Sequence, residues 1–154
     1  MLESMDMVNY VEAMGAPILV GNEREEVAAC AQQILNVSPY LTMPRYPLLG
    51  LPEFATVAAR DHYIVRKLKV YDDFVQLRAR TREFVDQLMP NLELLDQLVE
   101  SPQAINGTLS RDDIRVLPLL RSAAVVEGLQ FPDRVRAYFE TIMNRTGYPA
   151  LPTI

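Results

Sequence analysis

The chain has 154 residues, of which 49% are apolar, and its formal charge is −5 at pH 7. This length suits one compact domain that buries about two thirds of its unfolded surface. The net negative charge argues against nonspecific binding of nucleic acid or of an acidic membrane, because both depend on clustered positive charge. No apolar run reaches the roughly 18 residues of a membrane span, and residues 1–16 lack the basic start and apolar run of a signal peptide. We therefore expect a cytoplasmic protein with no membrane partner.

Helices separated by proline and glycine are predicted along the chain, without the alternating β-branched runs of strands, so the expected fold class is all-α. The first helix is predicted over residues 4–14, and an apolar loop follows at 18–20. Asn22 is predicted to cap the second helix, because its side-chain oxygen can accept the free amides of a first turn. The predicted inner face of that helix, at spacings of three and four, is Val27, Cys30, Ile34, Val37 and Leu41.

Two further helices are predicted in the middle of the chain. The third begins near Glu53, and its predicted inner face is Phe54, Val57, Asp61, Ile64 and Leu68. The longest helix is predicted over about residues 72–100, with a kink at Pro90, because proline removes a backbone donor. A basic stretch runs through this region: Arg66, Lys67, Lys69, Arg78, Arg80 and Arg82. The spacing favours a solvated face for these side chains over a docking site for an anion or a partner.

Three side chains have an alternative, chemical interpretation. Cys30, the only cysteine, is either a redox thiol or a small buried apolar residue, and its place on the inner face favours the second. Asp61 can form an acid–base pair with His62 or a structural hydrogen bond, and the angle of about 100° between neighbours on a helix favours the second. His62 is the only histidine, which excludes a site of several imidazoles, and it is expected at the surface or between domains. We therefore expect no catalytic residue and no metal ligand.

The clearest local signal is the start of a helix within residues 107–114. Ser110 can accept an amide of the first turn, while Asp113 can accept the amide of Ser110, and this pair forms a capping box. Leu109 can pack on Ile114 across the cap as a hydrophobic staple. The sequence therefore predicts a firmly fixed helix start at Ser110.

The ends of the last two helices are also predicted. The capped helix is expected to end near Gly128 and to bend at Pro118. The last helix is predicted to start close to Pro132 and Asp133, a favourable pair for a first turn. Its predicted buried residues are Val135, Tyr138, Phe139, Ile142 and Met143.

Four stretches of the chain carry a family resemblance: 3–11 (ESMDMVNYV), 43–46 (MPRY), 53–60 (EFATVAAR) and 106–121 (NGTLSRDDIRVLPLLR). In this order they resemble the glutaredoxin 2 family, whose members carry a glutathione-transferase-like helical domain behind a thioredoxin domain. The capping box with Asp at its third helical position resembles the folding signature of that helical domain. The resemblance implies a helical bundle like the C-terminal domain of glutathione transferases, with the capped helix at its centre.

The resemblance also implies how the chain is divided. Residues 1–16 would be the remnant of the last helix of an N-terminal thioredoxin-like domain, 17–21 the linker, and 22–154 the helical C-terminal domain. Glu3 and Ser4 resemble the pair that holds the γ-glutamyl end of glutathione, the cosubstrate of the family, at a helix start. The chemistry of the family belongs to a Cys-Pro-Tyr-Cys pair, whereas this sequence has no CxxC. The chain is thus interpreted as a truncated glutaredoxin 2 without a cofactor of its own.

Two functions remain open from the sequence. The first is the C-terminal domain of a glutathione-dependent thiol:disulfide oxidoreductase, which supports a thioredoxin-like domain, forms one wall of its active-site cleft and is inactive alone. The second is a stand-alone helical protein-interaction module. A third reading, a new enzyme that uses Asp61, His62 or Cys30, has no motif behind it. Loss of the thioredoxin domain would uncover an apolar surface, so self-association, as a homodimer, is expected.

Overall fold

The computed structural model describes residues 4–154, whose regular elements are helices joined by loops. The α-helices in this range are α1 (Ser4–Glu12), α2 (Glu25–Thr42), α3 (Val57–Lys67), α4 (Phe74–Ala79), α5 (Thr81–Leu98), α6 (Arg111–Ala123) and α7 (Asp133–Thr146). Two short 3₁₀ turns, Tyr46–Leu48 and Pro52–Phe54, connect α2 to α3. The described residues contain no β-strand beyond an isolated bridge between Ser101 and Ala104, so the predicted all-α class is confirmed.

The core lies where α2 packs against α5 and α6, and α7 closes it from the side of α5 and α6. Apolar side chains recur every three or four positions on these helices, which gives each helix one buried face. The largest fully buried side chains include Ile34, Leu41, Leu77, Leu88, Leu92, Leu95, Leu120 and Tyr138. The predicted inner face of α2 belongs to this core, with Val37 only partly buried.

The start of α2 differs from the prediction. Asn22 does not cap the helix, which begins at Glu25 after Arg24, and the Arg24 side chain makes no capping bond. The Arg24 amide instead donates to the Asp112 carboxylate at 2.8 Å. A carboxylate from α6, distant in sequence, therefore fixes the residue that precedes α2, which a pattern of neighbouring residues does not reveal.

The predicted inner face of α3 was wrong in part: Phe54 and Ile64 are half-buried, whereas Val57, Asp61 and Leu68 are exposed. The helix begins after Thr56, whose hydroxyl oxygen accepts the Ala59 amide at 3.2 Å. No residue of α3 is fully buried, and Val57 is 63% exposed. The helix lies mainly against the 3₁₀ turns, and only Tyr63 and Ile64, both partly buried, pack against the central core. Asp61 is therefore exposed and needs no buried partner.

The predicted longest helix is two helices. Asp73 caps α4, and the chain leaves the helix at Arg80, where φ is −94° and ψ is 16°. The Thr81 hydroxyl then donates to the Arg78 carbonyl oxygen at 2.6 Å. Side-chain bonds of this kind compete with the backbone ladder, so the threonine accounts for the interruption before α5 begins.

The last two helices begin where the sequence predicts. Ser110 occupies the position before α6, which ends at Ala123, more than a turn short of Gly128. The final helix begins at Asp133 and ends at Gly147, whose φ of 62° is a conformation that glycine adopts at little steric cost. Within the described part of the chain, no helix is both long and apolar enough to cross a membrane.

Candidate functional site

An open apolar groove lies between α1, the loop after it and the exposed side of α6. It has a volume of about 820 Å³. We call this feature the α1–α6 groove and define it by Met7, Val8, Val11, Ile18, Leu19 and Ile114. A second apolar cavity of about 390 Å³ continues it between α6 and α7 and shares Ile18, Leu19 and Ile114. The two cavities together form one open apolar channel along α6.

Helix α1 leaves much of its apolar surface open to solvent. Met7 is 52% exposed, Tyr10 67%, Val11 66% and Met14 73%. The loop continues this surface, because Ile18 and Val20 are also more than 60% exposed. A contiguous apolar patch of this kind marks an interaction surface in a folded protein.

The wall of the groove is rigid where α6 begins. The Ser110 amide donates to Asp113 Oδ2 at 2.8 Å, and the Asp112 amide donates to Ser110 Oγ at 3.3 Å. The other Asp113 oxygen accepts the Ile105 amide at 2.9 Å and the Tyr138 hydroxyl at 3.0 Å. Burial, and then the negative charge of Asp113, raise the pKa of Tyr138. This carboxylate is fully engaged in holding α6, the preceding loop and α7 together.

Asp112, also fully buried, joins the start of α6 to the segment before α2. It accepts hydrogen bonds of 2.8 Å from the Arg24 amide, the Asn106 amide group and the Arg115 guanidinium. The Arg24 guanidinium donates to Asn106 and to the Leu98 carbonyl oxygen. A buried charge surrounded by donors in this way is structural and not poised for chemistry.

The role of this buried network was not predicted from the sequence, although its residues lie largely within the stretch 106–121. The sequence feature that could have indicated the network is the pair of adjacent aspartates at the helix start, with Asn106 shortly before them. The apolar channel was also missed as a specific groove. No local pattern marks the groove, because the 41% exposure of Ile114 is visible only in the structure.

The predicted glutathione-binding pair lies at the edge of the structure. Glu3 falls outside the described residues, and Ser4 is the first residue of α1. Leu109 and Ile114, the predicted staple, line the smaller cavity together. Ser4 is thus the first described residue of the helix that forms one side of the groove.

Cys30, Asp61 and His62 do not form a site. Cys30 is 1% exposed, and its thiol donates to the Asn91 carbonyl oxygen at 3.3 Å. Burial raises its pKa to about 11, so the unreactive thiol form dominates at neutral pH. Asp61 and His62 are exposed on α3. Residues 4–154 hold no cluster of three or more His, Cys, Asp or Glu side chains suited to a metal ion.

The basic stretch is at least partly engaged within the chain. The Arg80 guanidinium donates to both Glu83 oxygens, at 2.8 and 2.7 Å. Lys67 lies over the rings of Tyr63 and Tyr71, at 5.8 and 6.0 Å from their centroids. These contacts support the interpretation of a solvated, internally paired face.

The class of protein follows from the bundle and its capped helix, which match known proteins. Residues 26–154 match the family model described as Glutaredoxin 2, C terminal domain. Glutaredoxin 2 of Escherichia coli strain K12 is 33% identical over 147 residues, which cover 95% of this chain and 68% of that protein. The Escherichia coli O157:H7 protein gives the same values.

A solved structure agrees. The crystal structure of glutaredoxin 2 from Salmonella typhimurium, in complex with glutathione, is similar to this chain with a TM-score of 0.92 at 32% identity. The match covers 98% of this chain and 70% of that one. The chain belongs to the glutaredoxin 2 family and corresponds to the C-terminal part of its members. The family predicted from the four stretches is thereby confirmed.

Proposed function

We propose that this chain is the helical C-terminal domain of a glutathione-dependent thiol:disulfide oxidoreductase. Its role is to support a thioredoxin-like domain and to form one wall of the cleft in which that domain works. Within this proposal, residues 1–16 are the last helix of the thioredoxin-like unit, 17–21 the linker and 22–154 the supporting domain.

The observation that carries the proposal is the α1–α6 groove. A helix with Met7, Tyr10 and Val11 more than half exposed has the apolar surface expected of an element that packs against a further domain. The groove beside it is apolar, and Ile114 of α6 forms its far wall. A thioredoxin-like domain seated here would cover both surfaces at once.

Glutathione enters the proposal through α1. The amides at the start of a helix attract a carboxylate, because they lack intrahelical partners and lie at the positive end of the helix dipole. Ser4 begins α1, and with Glu3 it matches the family pair for the γ-glutamyl group. The Salmonella typhimurium relative is in complex with glutathione, which supports the same ligand for the assembled protein.

The isolated chain is proposed to lack catalytic turnover. Thiol–disulfide exchange needs an accessible thiolate, and the one thiol of this sequence is buried with a pKa raised to about 11. In a glutathione-coupled disulfide-reduction assay, we expect the chain to give no rate above the uncatalysed reaction. Turnover by the chain alone would overturn this part of the proposal.

The supporting role is tested in a fusion. In glutaredoxin 2 of Escherichia coli K12, the C-terminal part that matches this chain is replaced by this chain. We expect the resulting fusion to catalyse disulfide reduction, whereas this chain alone does not. Ile114→Glu in that fusion should lower turnover at least several-fold, because a carboxylate without a partner is costly in an apolar interface.

The matched control is Leu94→Glu, since Leu94 is 40% exposed on α5 and Ile114 is 41% exposed on α6. We expect this control to leave turnover within about twofold, since exposed surface changes are usually nearly neutral. Equal loss in both variants would contradict the groove as the docking surface. A folded but inactive fusion would favour the alternative, a stand-alone helical interaction module, for which the exposed apolar face of α1 is the motivating observation.

A further inference from the structure

One arginine joins α1 to the rest of the molecule. Arg111 is the first residue of α6. Its Nε donates to Asn9 Oδ1 at 3.0 Å and its Nη2 donates to the same oxygen at 2.8 Å. Nη2 also lies 3.4 Å from Glu12 Oε2. The polar edge of α1 is thus bound by one guanidinium at two successive helical turns.

The same guanidinium reaches the segment between α1 and α2. Arg111 Nη1 lies 3.5 Å from Glu23 Oε1. The second Glu12 oxygen accepts the Leu19 amide at 2.8 Å, so the acid that binds Arg111 also holds the loop. Arg111 therefore lies where α1, the loop after it and α6 meet.

The apolar surface of α1 gives much less support. Met7 and Val11 are more than half exposed where they border the α1–α6 groove, which is open to solvent, so they lack the contacts of a filled apolar interface. Directed hydrogen bonds from a planar guanidinium then fix the helix orientation better than a partly empty apolar contact does.

The backbone that carries the Arg111 side chain is held rigidly. Arg111 directly follows Ser110, which is fully buried, and Asp113 fixes the Ser110 amide and the Ile105 amide. A side chain mounted on a backbone held in this way transmits the position of the core to whatever it binds.

We propose that Arg111 is a positioning residue, which fixes the orientation of α1 on the helical domain. The next step rests on the proposed function, in which glutathione binds at the start of α1. Because Arg111 fixes the orientation of α1, it also sets how bound glutathione faces the wall formed by α6. The residue touches no reacting atom and acts through α1.

The first test is amide hydrogen exchange in the chain itself. Arg111→Gln should speed exchange of the α1 amides at residues 8–13 about tenfold, because local opening is opposed by the hydrogen bonds that the substitution removes. The amides of α5 should be unchanged. Arg111→Lys keeps the charge but not the bidentate geometry. Its α1 exchange rate should lie between those of the parent chain and of Arg111→Gln.

The matched control is Arg136→Gln, which removes another arginine from the first turn of a helix, where Arg136 pairs with Asp133 at 2.6 Å. We expect no change in α1 exchange. Unchanged α1 exchange in Arg111→Gln would overturn the proposal. So would a uniform rise across all helices, since that is the signature of general destabilisation.

The second test uses the active fusion described above. Arg111→Gln should raise the KM for glutathione about three- to tenfold and leave kcat within about twofold, because a misplaced helix weakens binding more than chemistry. If exchange in α1 rises but the KM does not move, Arg111 fixes α1 and the assignment of glutathione to α1 is wrong. If exchange does not rise, the positioning role itself is wrong.

Discussion

Cys30 carries the only thiol of the sequence, and it lies 1% exposed on the inner face of α2. Its thiol donates to a backbone carbonyl oxygen of α5. Desolvation therefore raises its pKa to about 11, from the ordinary 9.0. At the scale of this residue, packing has turned a reactive group into a small apolar one.

The expected result is slow alkylation of Cys30 in the native chain. A rise of the pKa from 9.0 to about 11 lowers the thiolate fraction about 100-fold at neutral pH, and burial slows access further. The rate with iodoacetamide should recover to that of a free thiol in urea. Equal rates in the native and unfolded chain would contradict the burial of this side chain.

The same pKa predicts a pH dependence. The folded chain holds the thiol proton more tightly than the unfolded chain does, so the stabilisation is fully present below about pH 9 and is lost as the pH rises towards 11. Urea titrations between pH 9 and 10, below the range where buried tyrosines dominate, should show a shallower decline for Cys30→Ala than for the parent chain.

At the scale of the helix, α6 is the element on which the others depend. Its first turn binds the loop at Ile105, the segment at Arg24 and α7 through Tyr138. Local signals locate this start because the capping box joins residues only three apart. They do not show that Asp113 also accepts a buried tyrosine hydroxyl, since Tyr138 lies 25 positions further along the chain.

Asp113→Ala should be among the more destabilising single substitutions. It removes the acceptor of four donors, the Ser110 amide and hydroxyl, the Ile105 amide and the Tyr138 hydroxyl, and each buried unpaired group costs about 1–3 kcal/mol. We expect the free energy of unfolding, measured in urea, to fall by roughly 3 kcal/mol or more.

Asp133→Ala provides the control for this prediction. Asp133 occupies the first turn of α7, but its side chain is 91% exposed. Its loss should cost only a few tenths of a kcal/mol, the usual value for an acid near an exposed helix start. If the two substitutions lower the free energy of unfolding equally, the buried network around Asp113 adds no stability beyond that of an ordinary helix start.

At the scale of the whole molecule, the fold presents one face that its own residues leave uncovered. The bundle of α2, α5, α6 and α7 buries its core, whereas α1 and the loop at 18–20 keep an apolar surface open. In the proposed function a thioredoxin-like domain covers this face. A chain that presents it uncovered should bury it against a second copy.

We therefore propose self-association of the chain as a homodimer, checked by light scattering across a range of concentrations. Ile18→Glu should shift the chain towards the monomer, because it places a charge in the apolar channel. Val70→Glu, at a residue that is 74% exposed beyond α3, is the control and should leave the association unchanged. A strict monomer at high concentration would contradict the proposal.

The sequence by itself determined the helical class, the inner face of α2 and the starts of α6 and α7, because each depends on residues three or four positions apart. It also carried the family, through four stretches in a fixed order. Only the tertiary structure decided that Asp112 of α6 accepts the amide before α2, that the long helix is interrupted at Arg80, that no residue of α3 is fully buried and that Arg111 binds α1. These features depend on which distant segments meet. The residues next to an aspartate or an arginine in the sequence do not show which distant group it will bind. Its role is therefore decided only when the helices pack.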